Sequence, residues 1–204
     1  MKKNQKGFSL IELLIVVAII LIIAAIAIPN LLRARMAANE ASAVGSVRTI
    51  VTSQVTFQST WGIGFAGSLS ALGTPAAGCT GGATVTQACL VDPVLTVANT
   101  NGKSGYFLNT ASAGGAGTTV SPNNTFGGEA YPVTVGSTGQ RGFCADESGV
   151  IHYNTTGGAI GTTDTACEAV ATILQSSGLS GTGRKLRLSP RFSVARSGTQ
   201  SRLR

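Results

Sequence analysis

The sequence predicts an α+β protein in which one long N-terminal helix packs against a small antiparallel β-sheet. Three observations support this prediction. An apolar run occupies residues 8–28. Apolar side chains then recur at three- and four-residue steps up to about Thr60, which is the spacing of a helix. Later stretches alternate apolar and polar side chains, which is the spacing of strands.

The apolar run is long enough to cross a bilayer. As a helix, residues 8–28 would extend about 31 Å, close to the ~30 Å thickness of the hydrocarbon layer. Lys2, Lys3 and Lys6 precede the run, so the positive-inside rule keeps the N-terminus in the cytoplasm and exports the chain after Pro29. The first half of the helix is therefore predicted to be transmembrane.

Glu12 does not suit a simple membrane helix. A carboxylate at the bilayer centre costs ~2.5–3.5 kcal/mol on insertion scales and indicates a functional position. Two plainer interpretations are a secretory signal cleaved after residues 25–27 (Ala-Ile-Ala) and a simple membrane anchor. The run exceeds the ~7–15 residues usual for a secretory signal, and neither interpretation gives Glu12 a role.

The N-terminal residues resemble the class III signal of type IV pilins and the related pseudopilins of type II secretion. The shared features are a short basic leader, Gly7 followed by Phe8, Glu12 four residues later, an apolar helix and Pro29. The resemblance implies that a prepilin peptidase removes residues 1–7 and that the new Phe8 amine is methylated. It also implies that the apolar helix stays in the mature protein and that Glu12 acts in filament assembly.

The helix is expected to cover residues 8–60 and to continue past Pro29. Proline lacks a backbone donor and opposes the carbonyl of Ala25, which predicts a kink at Pro29. Beyond the kink, four valines are spaced to form one apolar face: Val44, Val47, Val51 and Val55. This pattern predicts a spine whose base is buried by identical helices and whose upper half packs on its own domain.

Four later segments are predicted to form strands. Residues 104–110 and 130–135 have alternating patterns, and residues 142–146 and 150–154 flank a turn and predict a hairpin. Pro132 predicts an edge or bulged strand, because proline cannot donate to a ladder. The resulting sheet of three or four strands resembles the pilin fold.

The remaining segments complete the predicted organisation. Residues 110–119 and 155–163 are rich in small residues and predict loops. Together with the strands they belong to a head domain over residues 61–175. Residues 176–204 are basic and rich in serine and glycine, with almost no apolar period, which predicts a disordered tail.

The four cysteines predict disulfide bonds. Cys79, Cys89, Cys144 and Cys167 show no paired C-x-x-C zinc pattern, and they follow a segment that exports them to an oxidising space. Three pairings are possible, of which Cys79–Cys89 with Cys144–Cys167 gives the shortest loops. In the pilin resemblance, Cys144 and Cys167 stand where that family has its C-terminal disulfide loop.

The net charge of +7 does not indicate nucleic-acid binding. Seven of the fifteen basic residues lie beyond Leu179, and three more precede Gly7. The intervening body contains five basic residues against all eight acidic ones. Without a basic patch in the body, no direct nucleic-acid site is predicted.

Catalytic, metal and cofactor sites are not predicted. His152 is the only histidine and is expected on the exposed or edge face of a strand, where alone it forms neither a triad nor a metal site. Asp146 and Glu147 suit a turn, and with Asp164 they lack the regular spacing of a calcium loop. We therefore expect no enzyme activity and no cofactor.

Two triplets fit the N-glycosylation pattern, beginning at Asn123 and Asn154. Such triplets are common by chance. They are therefore kept as candidates and not as predicted sites.

The sequence favours a structural subunit of a type IV pilus, which is stored in the bacterial inner membrane and polymerised into an extracellular filament. The resemblance implies four kinds of partner: identical subunits, a prepilin peptidase, a cytoplasmic assembly ATPase and a membrane platform. A pseudopilin of type II secretion is one alternative. A monomeric, membrane-anchored binding domain is another, and it would tolerate the loss of Glu12. The sequence does not distinguish adhesion, motility, DNA uptake or electron transfer.

Overall fold

The computed structural model describes residues 9–75, 78–170 and 172–174. The predicted leader (residues 1–7), the cleavage site at Gly7 and Phe8, and the tail (residues 176–204) lie outside the described residues. These three remain predictions.

One helix, α1 (Leu10–Trp61), dominates the described chain and passes through Pro29 without a break. It ends where Gly62 adopts a left-handed conformation with φ of 65°. The Gly62 N–H donates to the carbonyl of Gln58 at 3.0 Å, which satisfies an otherwise unpaired carbonyl of the last turn. The predicted end near Thr60 is thus confirmed to within one residue, and the kink at Pro29 remains a prediction.

The head contains a four-stranded antiparallel sheet in which every strand pairs with its neighbour in sequence. The predicted α+β class, with a helix packed on a small antiparallel sheet, is confirmed. The predicted hairpin is present as the last two strands. The strands are β1 (Tyr106–Ala113), β2 (Thr125–Pro132), β3 (Gly142–Asp146) and β4 (Ile151–Asn154).

Three short helices were not predicted: α2 (Leu69–Leu72), α3 (Pro93–Thr96) and α4 (Asp164–Glu168). Each is too short to show a helical period in the sequence. Each begins at a polar N-cap whose side chain accepts a backbone hydrogen bond, at Ser68, Asp92 and Thr163 respectively.

The predicted bounds of β1 were wrong at both ends. The strand was expected over residues 104–110, but Ser104 and Gly105 have φ of 51° and 74°, which no strand accommodates. The strand instead continues to Ala113 by pairing with Thr125. The loop predicted at residues 110–119 therefore begins at residue 114, four residues later than its small residues indicated.

The prediction of β2 over residues 130–135 was also wrong, since the strand begins at Thr125. Two adjacent glycines interrupt the alternation of apolar and polar side chains that would have indicated the strand. A Cβ on Gly128 would lie 3.3 Å from Ile50 Cγ2 of the helix, and one on Gly127 would lie 2.6 Å from the backbone of Thr162. The strand is confined between α1 and the loop at residues 155–163, so only glycine fits at Gly127, and a side chain at Gly128 would have to displace Ile50 slightly.

The expectation of an edge or bulged strand at Pro132 was wrong, because β2 pairs on both sides. Pro132 is its last residue and faces Tyr106 of β1, whereas pairing with β3 has already ended at Ala130. The missing N–H of proline therefore interrupts no ladder with β3. Val133 and Val135, which were predicted to lie in the strand, follow it and are exposed.

The upper half of α1 packs on one face of the sheet and forms the core with it. Val47 is fully buried, but Val55 is 51% exposed, so the predicted valine face is only partly correct. Successive four-residue steps drift by about 40° around a helix of 3.6 residues per turn. The buried face instead follows the true helical period: Ala43, Val47, Ile50 and Phe57.

Candidate functional site

The lower part of α1 is an uncovered apolar surface, which we call the apolar segment (residues 10–32). Its leucine, isoleucine and valine side chains are between 46% and 79% exposed. An 18-residue window within α1 reaches a mean hydropathy of 3.3 and has no buried residue. By length and composition, this helix could cross a membrane.

Glu12 lies in the first turn of α1 and is exposed. The partial positive charge of a helix N-terminus favours a carboxylate there. Two ion pairs are present among the described residues, Lys103–Asp92 and Arg141–Glu40, and neither involves Glu12. Its predicted partner, the amine of a processed Phe8, lies outside the described residues.

Higher on the same helix, Glu40 is buried and fully engaged by the head. The Arg141 guanidinium donates to Oε2 of Glu40 from Nε at 2.9 Å and from a terminal nitrogen at 2.6 Å. The backbone N–H of Gln140 donates to Oε1 at 2.9 Å. Arg141 also lies 5.5 Å and 5.3 Å from the ring centroids of Phe143 and Tyr153, a cation–π geometry. This cluster fixes α1 to the β2–β3 connection.

Tyr106 adds a further bond to the same cluster. Its hydroxyl donates to the carbonyl of Arg141 at 3.0 Å. Burial raises the pKa of Tyr106 well above its ordinary value, the Glu40 carboxylate raises it further, and the Arg141 charge opposes both. The phenol therefore stays protonated and able to donate.

A second polar anchor lies 14 residues further along α1, at Gln54. Its Nε2 donates to the Ala66 carbonyl at 3.0 Å and to Thr110 Oγ1 at 3.1 Å, and its Oε1 accepts from the Ala66 N–H at 2.7 Å. Glu40 and Gln54 are separated by about 21 Å along the helix axis. Two directional anchors at that separation set both the rotation and the height of α1 relative to the sheet.

Two disulfide bonds are present, as the sequence predicted, and their pairing is the one with the shortest loops. Cys144 of β3 bonds to Cys167 of α4, with a Cα–Cα distance of 5.7 Å. Cys79 bonds to Cys89 across 6.2 Å. Both members of the first pair are fully buried, so that bond secures α4 against the sheet.

The other polar candidates serve local structure. Nδ1 of His152 lies 2.7 Å from the Val170 carbonyl beside β4. Asp146 accepts from the N–H of Ser148 at 2.9 Å, and Asp164 lies in the first turn of α4. In the part of the chain that the structure describes, no three His, Cys, Asp or Glu side chains come together as metal ligands would.

Both candidate glycosylation asparagines use their amide nitrogen within the fold. Nδ2 of Asn123 donates to the Phe65 carbonyl at 3.1 Å and to Ser112 Oγ at 2.8 Å. Nδ2 of Asn154 donates to the Gly158 carbonyl at 3.0 Å. A glycan replaces one amide hydrogen, so at Asn123, which uses both hydrogens, at least one of these bonds would be lost.

Sequence reasoning missed Glu40, Gln54 and Arg141. A signal for the first two was present, because Glu40 precedes Ala43 by three residues and Gln54 follows Ile50 by four. Helical spacing thus placed both polar side chains on the core face. Nothing in the sequence indicated that Arg141 pairs with Glu40, because one hundred residues separate them.

Comparison with known proteins supports the N-terminal motif. Residues 2–28 match a family model described as the prokaryotic N-terminal methylation motif. The chain is 52% identical over 56 residues to the type IV wide pilus major component PilA4 of Thermus thermophilus, covering 28% of this chain and 43% of that protein. It is 46% identical over 54 residues to the type IV major pilin protein PilA of Myxococcus xanthus, covering 26% of this chain and 24% of that protein.

These matches leave most of the head uncompared. The chain spans less than half the length of either relative, and no solved structure matches it. Both relatives are described as pilus components and not as enzymes. The resemblance to type IV pilins that residues 7–29 indicated, with its class III signal and methylation motif, is confirmed.

Proposed function

We propose that this chain is a structural subunit of a type IV pilus and polymerises through the apolar segment. The observation that carries the proposal is the contrast within α1. Its upper half is fixed to the head by Glu40 and Gln54, whereas its lower half presents an uncovered apolar surface. Lipid can bury this surface in the stored subunit, and other copies of the same helix can bury it in a filament.

Glu12 would set the axial register of each subunit as it docks. Processing between Gly7 and Phe8 leaves a positive amine on Phe8, about 6 Å along the helix axis from Glu12. In a stacked filament, Glu12 of one subunit can pair with the Phe8 amine of a neighbour. Inside a low-dielectric core an unpaired charge is costly and a paired one much less so, so the packing that unites the two charges is favoured.

Maturation and assembly follow from the resemblance. A prepilin peptidase would cut after Gly7, which lacks a side chain to obstruct a protease cleft, and Phe8 would then be methylated. An assembly ATPase and a membrane platform would extract the subunit from the inner membrane. The apolar segments would form the filament core, and the sheet domains would lie outside it.

Sheared surface material provides the direct test. We expect electron microscopy to show filaments, and mass spectrometry to show a subunit that begins at methylated Phe8. The membrane fraction of the same cells serves as the control for processing without assembly. A start at Ile28 would indicate a cleaved secretory signal and contradict the proposal, and processed Phe8 without surface filaments would favour the pseudopilin alternative.

A further inference from the structure

Two arginines follow the apolar segment, and neither has a charged partner in the described chain. Arg33 and Arg35 are both exposed. The nearest acid along the helix, Glu40, is already held by Arg141. Two cations therefore stand together just above the predicted membrane boundary at Ile28.

One of them lines a groove at the base of the head. The groove has a volume of about 350 Å³ and lies between α1, the loop that precedes β1 and the loop that follows β2. Its lining includes Leu32, Arg35, Asn39, Ser104, Ser137 and Thr138. Arg33 does not line it, because two residues correspond to about 200° around a helix. The two arginines therefore lie at nearly the same distance from the membrane boundary but on different faces of the helix.

The walls of the groove are held in place by the fold. Nδ2 of Asn39 donates to the Thr138 carbonyl at 2.9 Å, and Ser42 Oγ donates to Ser104 Oγ at 3.0 Å. A Cβ on Gly105 would lie 2.8 Å from Thr138 Cβ, so the two loops approach as closely as glycine permits. The groove is thus a feature of the folded subunit and not a gap between loose segments.

The membrane end of the groove reaches the lipid headgroup layer. This step rests on the proposed function, in which the hydrocarbon layer ends near Ile28. Leu32 then lies about 6 Å and Arg35 about 10 Å beyond that boundary, and headgroups occupy roughly the first 5–8 Å on each side of the hydrocarbon. Helical side chains lean toward the N-terminus, so the Arg35 side chain is directed back toward the membrane.

We propose that this groove binds the phosphate of an anionic phospholipid while the subunit is stored in the membrane. The Arg35 guanidinium can form a bidentate pair with a phosphate at the membrane end of the groove. Leu32, at the membrane end, would contact the glycerol and upper acyl chain. Bound lipid would hold the head at a fixed height and rotation before the subunit is extracted.

Retention of lipid by the purified full chain tests this proposal. The subunit is extracted in mild detergent with phosphatidylglycerol or phosphatidylcholine, and native mass spectrometry measures the fraction that carries one lipid. We expect phosphatidylglycerol to be retained preferentially and Arg35→Gln to reduce its retention at least about fivefold, because the bidentate pair with the phosphate is lost. Excess inorganic phosphate should not displace the lipid, because the groove also contacts its apolar part.

Two matched variants separate the groove from general charge attraction. Arg33→Gln removes the same charge at the same height but outside the groove, and Arg48→Gln removes it about 30 Å beyond Ile28. Both should retain lipid as the wild type does. Equal losses from Arg33→Gln and Arg35→Gln, or displacement by inorganic phosphate, would overturn the inference.

The same preparations distinguish this inference from the proposed function. If Arg35→Gln keeps its lipid but gives fewer filaments, the groove is a contact between subunits, and the lipid inference fails while the pilus proposal stands. If the wild-type chain does not partition into the membrane fraction, both fail together.

Discussion

In the upper half of α1, Ile50 is fully buried beneath the sheet, whereas in the lower half Ile20 is 58% exposed. The acidic residue of each half differs in the same way, since one is paired within the subunit and the other is not. Glu40 receives four hydrogen bonds from Gln140 and Arg141, and Glu12 has no ion-pair partner in the described chain. One helix therefore combines a half that is satisfied within the subunit and a half that is not. The difference indicates that the lower half makes its apolar contacts with other molecules and not within the subunit.

Glu12→Ala should have the largest effect. In the proposed filament it would leave the Phe8 amine of the neighbouring subunit buried without its partner, and removing one member of a buried pair typically costs ~3–5 kcal/mol. We expect filament yield to fall sharply while membrane insertion and peptidase cleavage remain. The measurement is sheared-pilus yield relative to the membrane level of the subunit.

Glu12→Gln is the informative companion, since it keeps the shape and removes the charge, and it should fail in the same way. Normal filaments from either variant would mean that the carboxylate has no role in assembly. The membrane-anchored alternative would then become the better one.

The same substitution should affect folding of the head when it is made in the upper half of α1, and filament assembly when it is made in the lower half. Ile50→Ala removes a buried side chain and should lower the free energy of unfolding of the head by ~2–5 kcal/mol. Ile20→Ala, as its matched control, should leave that free energy unchanged and reduce filament yield instead. Unfolding in denaturant can be followed by the fluorescence of Trp61, the only tryptophan, which stacks on Phe57. Loss of head stability in Ile20→Ala would contradict the division of the helix.

Cys144→Ala should destabilise the head by about 3 kcal/mol, because the bond to Cys167 closes a loop of 23 residues. Cys89→Ala is its control, with a loop of 10 residues and an exposed partner in Cys79. The chain-entropy difference between the two loops is only ~0.7 kcal/mol, and the burial of Cys144 adds to it. Equal midpoints of denaturation for the two variants would show that burial of the Cys144–Cys167 bond in the core adds nothing to the stability of the head.

Gln54→Leu should have the smallest of these effects. The substitution leaves the backbone N–H and carbonyl of Ala66 without the Gln54 side chain as partner, and a buried unsatisfied group costs ~1–3 kcal/mol. The loss should appear in head unfolding and not in membrane insertion. Gln58→Leu offers a control on the same helix, since Gln58 is exposed; a comparable loss there would mean that Gln54 is not a specific anchor.

Some features followed from the sequence because neighbouring residues decide them. The first thirty residues contain the basic leader, the apolar run, Glu12 and Pro29. These features sufficed to predict a membrane-length helix and the pilin resemblance. The β3–β4 hairpin was also predicted correctly, since its alternation and turn lie within one short segment. The oxidised state of the cysteines was predicted correctly, because the segment that precedes them predicts export to an oxidising space.

Other features depended on residues that are distant in sequence. Gly127 and Gly128 gave no strand pattern, yet they lie in a strand because the chain there pairs with both β1 and β3. Thr162 and Ile50 approach these two glycines closely. Val55 fits the spacing of an apolar face, yet the head does not extend over it. Glu40 pairs with Arg141, which is 101 residues away in sequence, because folding brings the β2–β3 connection against the helix. Local pattern fixes which elements form, whereas burial and charge pairing are set by contacts that only the folded chain brings together.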